Sequence, residues 1–231
     1  MDADTQIGGA NARFPDTRPS AIEAAGSDEA ARRGPGHEAL VAAYWKPVYR
    51  YIRLKWRRSN EDAKDLTQSF FTAAIEKRYF LSYDPRKGTF RTFLRVCLDR
   101  FLANDRKFES RQKRSAELVA LDFDAAGPES PEAIFHQEWA RSLFEDTVDE
   151  LRRSLQVRGR GICFAVFERY DLAETPATYD QLAGDFGISA ATVTNYLAAA
   201  RRELRSLLME RLRAVTTSDS EFRREARALF Q

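Results

Sequence analysis

The chain has 231 residues, of which 43% are hydrophobic and 31% are charged, and its formal net charge is only +2. This composition is that of an ordinary globular protein and excludes an intrinsically disordered chain, while the length allows one large domain or two small ones. No apolar run approaches the length of a transmembrane helix and the first residues lack a signal-peptide core, so we expect a cytoplasmic protein without membrane insertion.

The first predicted elements are a flexible tail and a long helical segment. Residues 1–36 are rich in alanine, glycine, aspartate, arginine and proline and show no apolar periodicity. This pattern predicts a flexible tail that ends in Gly34-Pro35-Gly36. From 37 to 58 apolar residues recur at helical spacing, and we expect Pro47 to kink this segment or to split it into two helices.

A further helix is predicted over 61–78, after an acidic start that interacts favourably with the helix dipole. One face carries an apolar stripe, which includes Leu66 and Phe70. Asp65, Gln68 and Ser69 lie off this stripe, so the sequence predicts a polar surface that is available to a partner.

A loop and the helix after it carry most of the local positive charge. Within 86–114 there are ten basic residues and three acidic ones, and such an excess points to a polyanionic partner. Tyr79 and Tyr83 are the candidates for exposed rings beside this charge. Single-stranded nucleic acid needs cations for its backbone and flat rings for its bases. The alternative is that the aromatic residues form the core and the arginines a solvated face.

The C-terminal half contains a predicted helix-turn-helix. Thr178 is a good N-cap for a short helix, Gly187 suits the left-handed residue that ends it, and Ser189 suits the N-cap of the next helix. In a helix-turn-helix the second helix enters the major groove of DNA. A plain helical hairpin is the alternative. A final helix is predicted near 219–230, and a packing role is favoured for it over a regulatory one.

Three stretches together resemble one protein family. The sequence Glu61–Phe71 resembles the E-D-A-x-D-L-x-Q-x-x-F core of bacterial RNA polymerase sigma factors. The sequence Asp84–Leu94 is similar to the D-P-x-x-G-x-F-R-x-W/F-L stretch of the extracytoplasmic-function (ECF) subfamily. The sequence Gly187–Arg202 is similar to the G-I-S-x-x-T-V-x-x-x-L-x-x-A-R-R pattern of its helix-turn-helix. The resemblance covers about 37–215.

This resemblance implies an all-α fold with two small helical domains. The expected parts are a flexible tail over 1–36, a sigma region-two-like bundle over 37–114, a linker over 115–130, a region-four-like helix-turn-helix domain over 131–215 and an amphipathic helix over 216–231. The first domain is expected to bind the β′ clamp helices of the polymerase core and the melted minus-ten element. The second is expected to bind the minus-thirty-five element and the β flap. Such a chain directs promoter recognition, DNA melting and transcription initiation, and it is not an enzyme. It is expected to be a monomer when free, and an anti-sigma factor is a further candidate partner.

The resemblance also assigns individual residues. The clamp-binding set is Asp65, Gln68, Ser69 and Phe71. The single-strand set is Tyr83, Arg86, Lys87, Arg91, Arg95 and Arg100. The minus-thirty-five set is Ser189, Ala191, Thr192, Thr194, Asn195, Ala198, Arg201 and Arg202. Many members carry Glu where this chain has Ser69, and Asn where it has Arg100. Positive charge is also missing from the first half of the recognition helix, so phosphates there must be bound by backbone N–H groups at its start.

Other classes of function stay open beside this one. A stand-alone helix-turn-helix regulator would bind duplex DNA without polymerase, usually as a dimer. A pure interaction protein, such as a sigma decoy, would bind without melting DNA. A helical enzyme has little support, because no catalytic constellation of carboxylates, Ser/His or Cys/His is visible. Cys97 and Cys163 are expected to be buried thiols, and no metal-ligand spacing or cofactor motif is present.

Overall fold

In the computed structural model the described residues are 21–113 and 130–229, with side chains described for 21–105 and 130–229. Throughout these residues the regular secondary structure is helical, which confirms the predicted all-α class. The helices are α1 (Ala21–Ala25), α2 (Ala30–Lys55), α3 (Asn60–Glu76), α4 (Phe90–Lys113), α5 (Pro131–Val157), α6 (Gly161–Phe167), α7 (Tyr179–Phe186), α8 (Ala190–Ala214) and α9 (Asp219–Leu229). A 3-10 turn, Tyr79–Ser82, precedes α4, and a π-helical turn, Glu168–Leu172, extends α6.

The chain divides into two compact units. The first combines Met1–Ser142 with Leu212–Gln231, and the second is Leu143–Arg211. Both limits fall inside helices, at one point of α5 and one of α8. The sequence instead places its domain limits at 114, 131 and 215. The predicted linker 115–130, except Ser130, lies outside the described residues, as do residues 1–20 of the predicted tail.

The prediction of a flexible tail is wrong for residues 21–36, which form α1 and the first turns of α2. Ala21, Ile22 and Ala25 are 2–6% exposed. A Cβ atom on Gly36 would lie 2.3 Å from the backbone nitrogen of Ala25, so the two helices meet backbone to backbone. Small residues allow this approach, and their low hydrophobicity is the reason that no apolar periodicity appears in the sequence.

Helix α2 is also longer than predicted and passes through both Pro35 and Pro47. Proline inside a helix removes one hydrogen bond and costs about 3 kcal/mol. Val48, Tyr51 and Ile52, which follow Pro47, have no measurable exposure. Burying three large side chains at about 1.5–3 kcal/mol each offsets the lost hydrogen bond, so α2 is not split.

The core of the first unit is built from aromatic side chains of α2, α4 and α5. The Tyr44 ring meets the Phe90 ring edge to face, with 5.5 Å between centroids. Tyr51 meets Phe135 in the same way at 5.3 Å, and its hydroxyl donates to the carboxylate of Asp99 at 2.9 Å. Edge-to-face pairs add about 0.5–1.5 kcal/mol beyond the burial of area. The contacts of Phe90 and Asp99 fix the first part of α4, where much of the candidate site lies.

Candidate functional site

The second unit contains the predicted turn between α7 and α8. Thr178 and Gln181 form a capping box: the Gln181 N–H donates to the Thr178 hydroxyl at 3.3 Å, and the Thr178 N–H donates to the Gln181 side chain at 2.8 Å. Gly187 ends α7 in the left-handed conformation, with φ 62° and ψ 35°. Ser189 accepts the N–H of Thr192 at 3.1 Å and so caps α8. The three predicted cap positions are confirmed.

A shared core orients the two helices of this arrangement. Leu182 of α7 packs in one cluster with Val193, Leu197 and Ala200 of α8, and all four are at most 1% exposed. Because these positions of α8 face inward, the opposite face of its first four turns is turned to solvent. A glycine turn of three residues and a shared core are features that a helix-turn-helix needs, and a helical hairpin also has them.

The exposed face of α8 is composed mainly of small and uncharged residues. The members of the predicted minus-thirty-five set that are exposed are Ser189, Ala191, Thr194, Asn195, Ala198, Arg201 and Arg202. Three of these already form hydrogen bonds within the unit: Ser189, which caps α8, and Thr194 and Arg201. The Thr194 hydroxyl donates to the carbonyl of Ala190 at 3.1 Å, and the Arg201 guanidinium donates twice to Asp171, at 2.7 and 2.9 Å. These hydrogen bonds raise the pKa of Arg201.

Thr192 is the one member of the minus-thirty-five set that is half-buried. Its hydroxyl lies 2.8 Å from that of Ser189, so both groups stabilise the turn. Asn195 and Arg202 are then the side chains of this face that can reach an edge of a base or a phosphate without first breaking one of the hydrogen bonds just described. An amide suits adenine, and a guanidinium suits guanine or phosphate.

Helix α3 presents three of the four predicted clamp-binding residues. Asp65, Gln68 and Ser69 are exposed and lie on one face, because residues three and four apart are neighbours on a helix. The Ser59 hydroxyl accepts the N–H of Asp62 at 3.1 Å and caps the helix. None of the three exposed side chains is needed for that cap.

Phe71 does not belong to this surface, and its assignment as a clamp contact is wrong for this structure. Its side chain is 3% exposed. The ring stacks on that of Trp45, with 6.0 Å between centroids and 14° between planes, and meets Phe70 edge to face at 5.3 Å. The side chain is therefore part of the core, where it joins α3 to α2.

The prediction that Tyr83 offers an exposed ring is also contradicted. The ring packs at right angles on Phe90, 5.2 Å away, and is tilted against Phe93 at 5.5 Å. The hydroxyl lies 3.0 Å from the carboxylate of Glu221 and 3.1 Å from the carbonyl oxygen of Gly88. Burial and the nearby charge of Glu221 raise the pKa of this phenol. Tyr83 therefore joins the loop before α4 to helix α9.

Arg91 and Arg95 are engaged inside the first unit. Arg91 forms an ion pair with Glu225 of α9 at 2.7 Å, and its guanidinium lies 4.6 Å from the ring centroid of Trp139. Burial lowers the pKa of Arg91, and burial raises the pKa of Glu225. Arg95 pairs with Asp99 one turn along α4, at 2.8 Å. These two arginines are not free to bind nucleic acid in this structure.

Three members of the single-strand set remain exposed: Arg86, Lys87 and Arg100. Arg86 donates two hydrogen bonds of 3.0 Å to the carboxylate of Asp84. These bonds lower the pKa of Asp84 to about 2. The set predicted as one surface is thus divided: three members are exposed, Tyr83 and Arg91 bind α9, and Arg95 pairs within α4.

Glu221 and Glu225, which are each 3% exposed, were not predicted from the sequence. Glu221 accepts the Phe90 N–H at the start of α4 at 3.1 Å, and the N–H and hydroxyl of Thr217 at 2.8 Å each. Glu221 and Glu225 are four residues apart, so both carboxylates lie on one face of α9. That spacing was a usable signal, but the prediction gave the inward face of α9 to apolar residues.

The described residues contain no group of three or more His, Cys, Asp or Glu side chains that could hold a metal ion. Cys97 and Cys163 are free thiols; Cys163 is buried as predicted, and Cys97 is half-buried. None of the described helices has both the length and the apolar character needed to cross a membrane.

Comparison with protein-family models, with curated proteins and with solved structures finds no match to this chain. The resemblance to sigma factors therefore rests on the three sequence motifs, and the assignments that it implies stay predictions.

Proposed function

We propose that this chain is an ECF-type sigma factor, which binds the RNA polymerase core and directs it to promoters. One observation carries the proposal: the motif residues Asp65, Gln68 and Ser69 lie exposed on α3, in a chain whose α7 and α8 join through the glycine turn that a helix-turn-helix requires. A stand-alone DNA reader needs the second feature but not the first.

Charge and hydrogen bonding explain how the α3 surface would bind polymerase. A carboxylate and a primary amide one turn apart can accept from and donate to basic and polar groups of a partner helix. Charged contacts of this kind set orientation and encounter rate as well as affinity. The predicted partner is the β′ clamp, and Phe71 supports this surface only by holding α3 in the core.

The helix-turn-helix would bind the upstream promoter element through the exposed face of α8. Asn195 and Arg202 offer the polar contacts, and the methyl groups of Ala191 and Ala198 suit the methyl group of thymine. Arg201 must leave Asp171 before it can bind DNA. Exposed ion pairs contribute only about 0–1 kcal/mol, so this exchange costs little.

The test measures binding of the full chain to purified polymerase core and transcription from a promoter-containing template. Asp65→Ala and Gln68→Ala together are expected to weaken core binding at least about tenfold, since contacts at the centre of an interface cost more than 1 kcal/mol when removed. Glu38→Ala removes an exposed carboxylate elsewhere in the same unit and serves as the matched control.

Two results would overturn the proposal. If wild-type chain does not bind core but binds duplex DNA as a dimer without polymerase, the stand-alone regulator is the correct reading. If the chain binds core but supports no promoter opening, it is an interaction protein. Equal core affinity for the α3 double variant and the Glu38→Ala control would refute the clamp assignment alone.

A further inference from the structure

Helix α9 has two faces of opposite charge. Glu221 and Glu225 face inward and are each 3% exposed. Arg223, Arg224 and Arg227 are exposed. Because residues 223 and 227 are one turn apart and 224 lies beside them, the three guanidinium groups share the outward side of the helix. This arrangement inverts the usual pattern, in which an amphipathic helix buries its apolar stripe.

The inward carboxylates are held by groups that the sequence had assigned to nucleic acid. Glu221 binds the Tyr83 hydroxyl and the Phe90 N–H, and Glu225 binds Arg91. A phosphate at these groups would have to displace a buried carboxylate that is hydrogen-bonded to Tyr83 and Phe90 or ion-paired with Arg91. The internal contacts therefore remove Tyr83 and Arg91 from the surface, and they fix the position of α9 on the first unit.

The outward arginines keep their charge free. Within the described part of the chain none of the three takes part in an ion pair. Arg213 offers a contrast, since it pairs with Asp219 and lies 4.1 Å from the ring centroid of Phe222. The Tyr83 hydroxyl lies 3.0 Å from the carboxylate of Glu221, one turn before Arg224, and 3.1 Å from the carbonyl oxygen of Gly88. Helix α9 therefore lies against the loop that carries the exposed Lys87.

We propose that the outward face of α9 and the loop before α4 form a phosphate-binding surface for single-stranded DNA. The surface combines Arg223, Arg224 and Arg227 with Lys87 and Arg86, all in the first unit. Exposed cations suit a backbone of regularly spaced phosphates, whereas Arg91, which is ion-paired with Glu225, does not. Arg86 would exchange its exposed contact with Asp84 for a phosphate. The inference rests on the proposed function only for the choice of DNA as the polyanion.

The experiment compares the full chain with the variant Arg223→Gln, Arg224→Gln, Arg227→Gln. A labelled single-stranded oligonucleotide is titrated at several salt concentrations and followed by fluorescence anisotropy. Each phosphate contact to a single strand contributes about 0.7 to the slope of log K against log salt, so the slope should become shallower by about 2. At about 0.1 M salt this corresponds to a loss of affinity on the order of 100-fold.

A matched control removes the same charge from other exposed sites of the first unit: Arg32→Gln, Arg53→Gln, Lys77→Gln. It should change the slope by much less than the α9 variant. Circular dichroism should show both variants folded, since exposed Arg→Gln changes keep helix propensity nearly constant.

Several outcomes would overturn the inference. Equal slopes for the two triple variants would show that only net charge matters. Tighter DNA binding by the α9 variant would show that α9 obstructs the site instead of contributing to it. Loss of binding to phosphatidylserine vesicles with unchanged DNA binding would assign the surface to a membrane. Measuring polymerase-core binding of each variant in parallel separates these failures from a failure of the proposed function.

Discussion

The substitution Arg91→Ala is expected to destabilise the first unit by about 3–5 kcal/mol, because it leaves the carboxylate of Glu225 buried without its partner. The side chains of Arg91 and Glu225 are only 15% and 4% exposed and their charged atoms are 2.7 Å apart. The guanidinium also loses its contact with Trp139 at 4.6 Å, which is worth up to about 2 kcal/mol when desolvated. These two effects share one side chain and should not be added.

Urea unfolding followed by circular dichroism measures the loss. Arg100→Ala is the matched control, since this arginine is exposed on the same helix and its removal should change stability by less than about 0.5 kcal/mol. The double substitution Arg91→Met, Glu225→Leu should recover most of the stability, because an apolar pair carries no desolvation penalty.

One pattern of results would refute this reasoning. If Arg91→Ala unfolds at the same urea concentration as Arg100→Ala but binds single-stranded DNA more weakly than the wild-type chain does, the ion pair with Glu225 contributes nothing. Arg91 would then be the nucleic-acid contact that the sequence predicted, and α9 would not be held by it.

Three further outcomes are expected. In urea melts, Gly36→Ala should lower the free energy of unfolding by about 2 kcal/mol or more, since its Cβ would lie 2.3 Å from the backbone of Ala25 and α1 must move. Gly34→Ala should be neutral or stabilising in the same melts, because its Cβ would have no atom within 4 Å. Phe71→Ala should cost about 3–5 kcal/mol by differential scanning calorimetry; an unchanged transition with weakened polymerase binding would restore Phe71 to the clamp surface. Burial raises the pKa of Glu225, so the folded chain binds more protons than the unfolded one between the ordinary glutamate pKa, about 4.3, and the raised value. Stability should fall as pH rises through that window, and Glu225→Gln should remove this part of the slope in urea melts at several pH values.

The sequence predicts best what depends on neighbouring residues. The caps at Thr178 and Ser189 each need one acceptor and an N–H three residues along the chain, and Gly187 needs only its own left-handed conformation. The exposed face of α3 follows in the same way from helical periodicity. These features are local, and a reading of residue types at fixed spacing is sufficient for them.

The single-strand surface could not be predicted because its outcome depends on a distant segment. Tyr83 and its partner Glu221 are 138 residues apart in the chain. A basic helix and a loop tyrosine look the same in sequence whether they face solvent or the acidic face of another helix. Only the folded chain shows that α9 supplies carboxylates to Tyr83 and Arg91, so these two members of the predicted set changed from ligand contacts to internal contacts.

The packing of α1 against α2 could not be predicted for a different physical reason. Large apolar side chains reveal a buried face through their periodicity, but α1 packs through alanines and the missing side chain of Gly36. A close backbone approach replaces bulk hydrophobic area in this contact. Composition alone makes such a segment look like a polar tail.

The closure of the first unit by Glu221 and Glu225 has a consequence for synthesis on the ribosome. The second unit, Leu143–Arg211, lies in the chain between the two stretches of the first. At about 5–20 residues per second, the roughly 70 residues of that insertion take about 3–14 s to make. During this interval Arg91 and the Phe90 N–H already exist, but the carboxylates that bind them do not. The nascent first unit therefore carries an uncompensated positive charge at the start of α4 until the ribosome reaches α9.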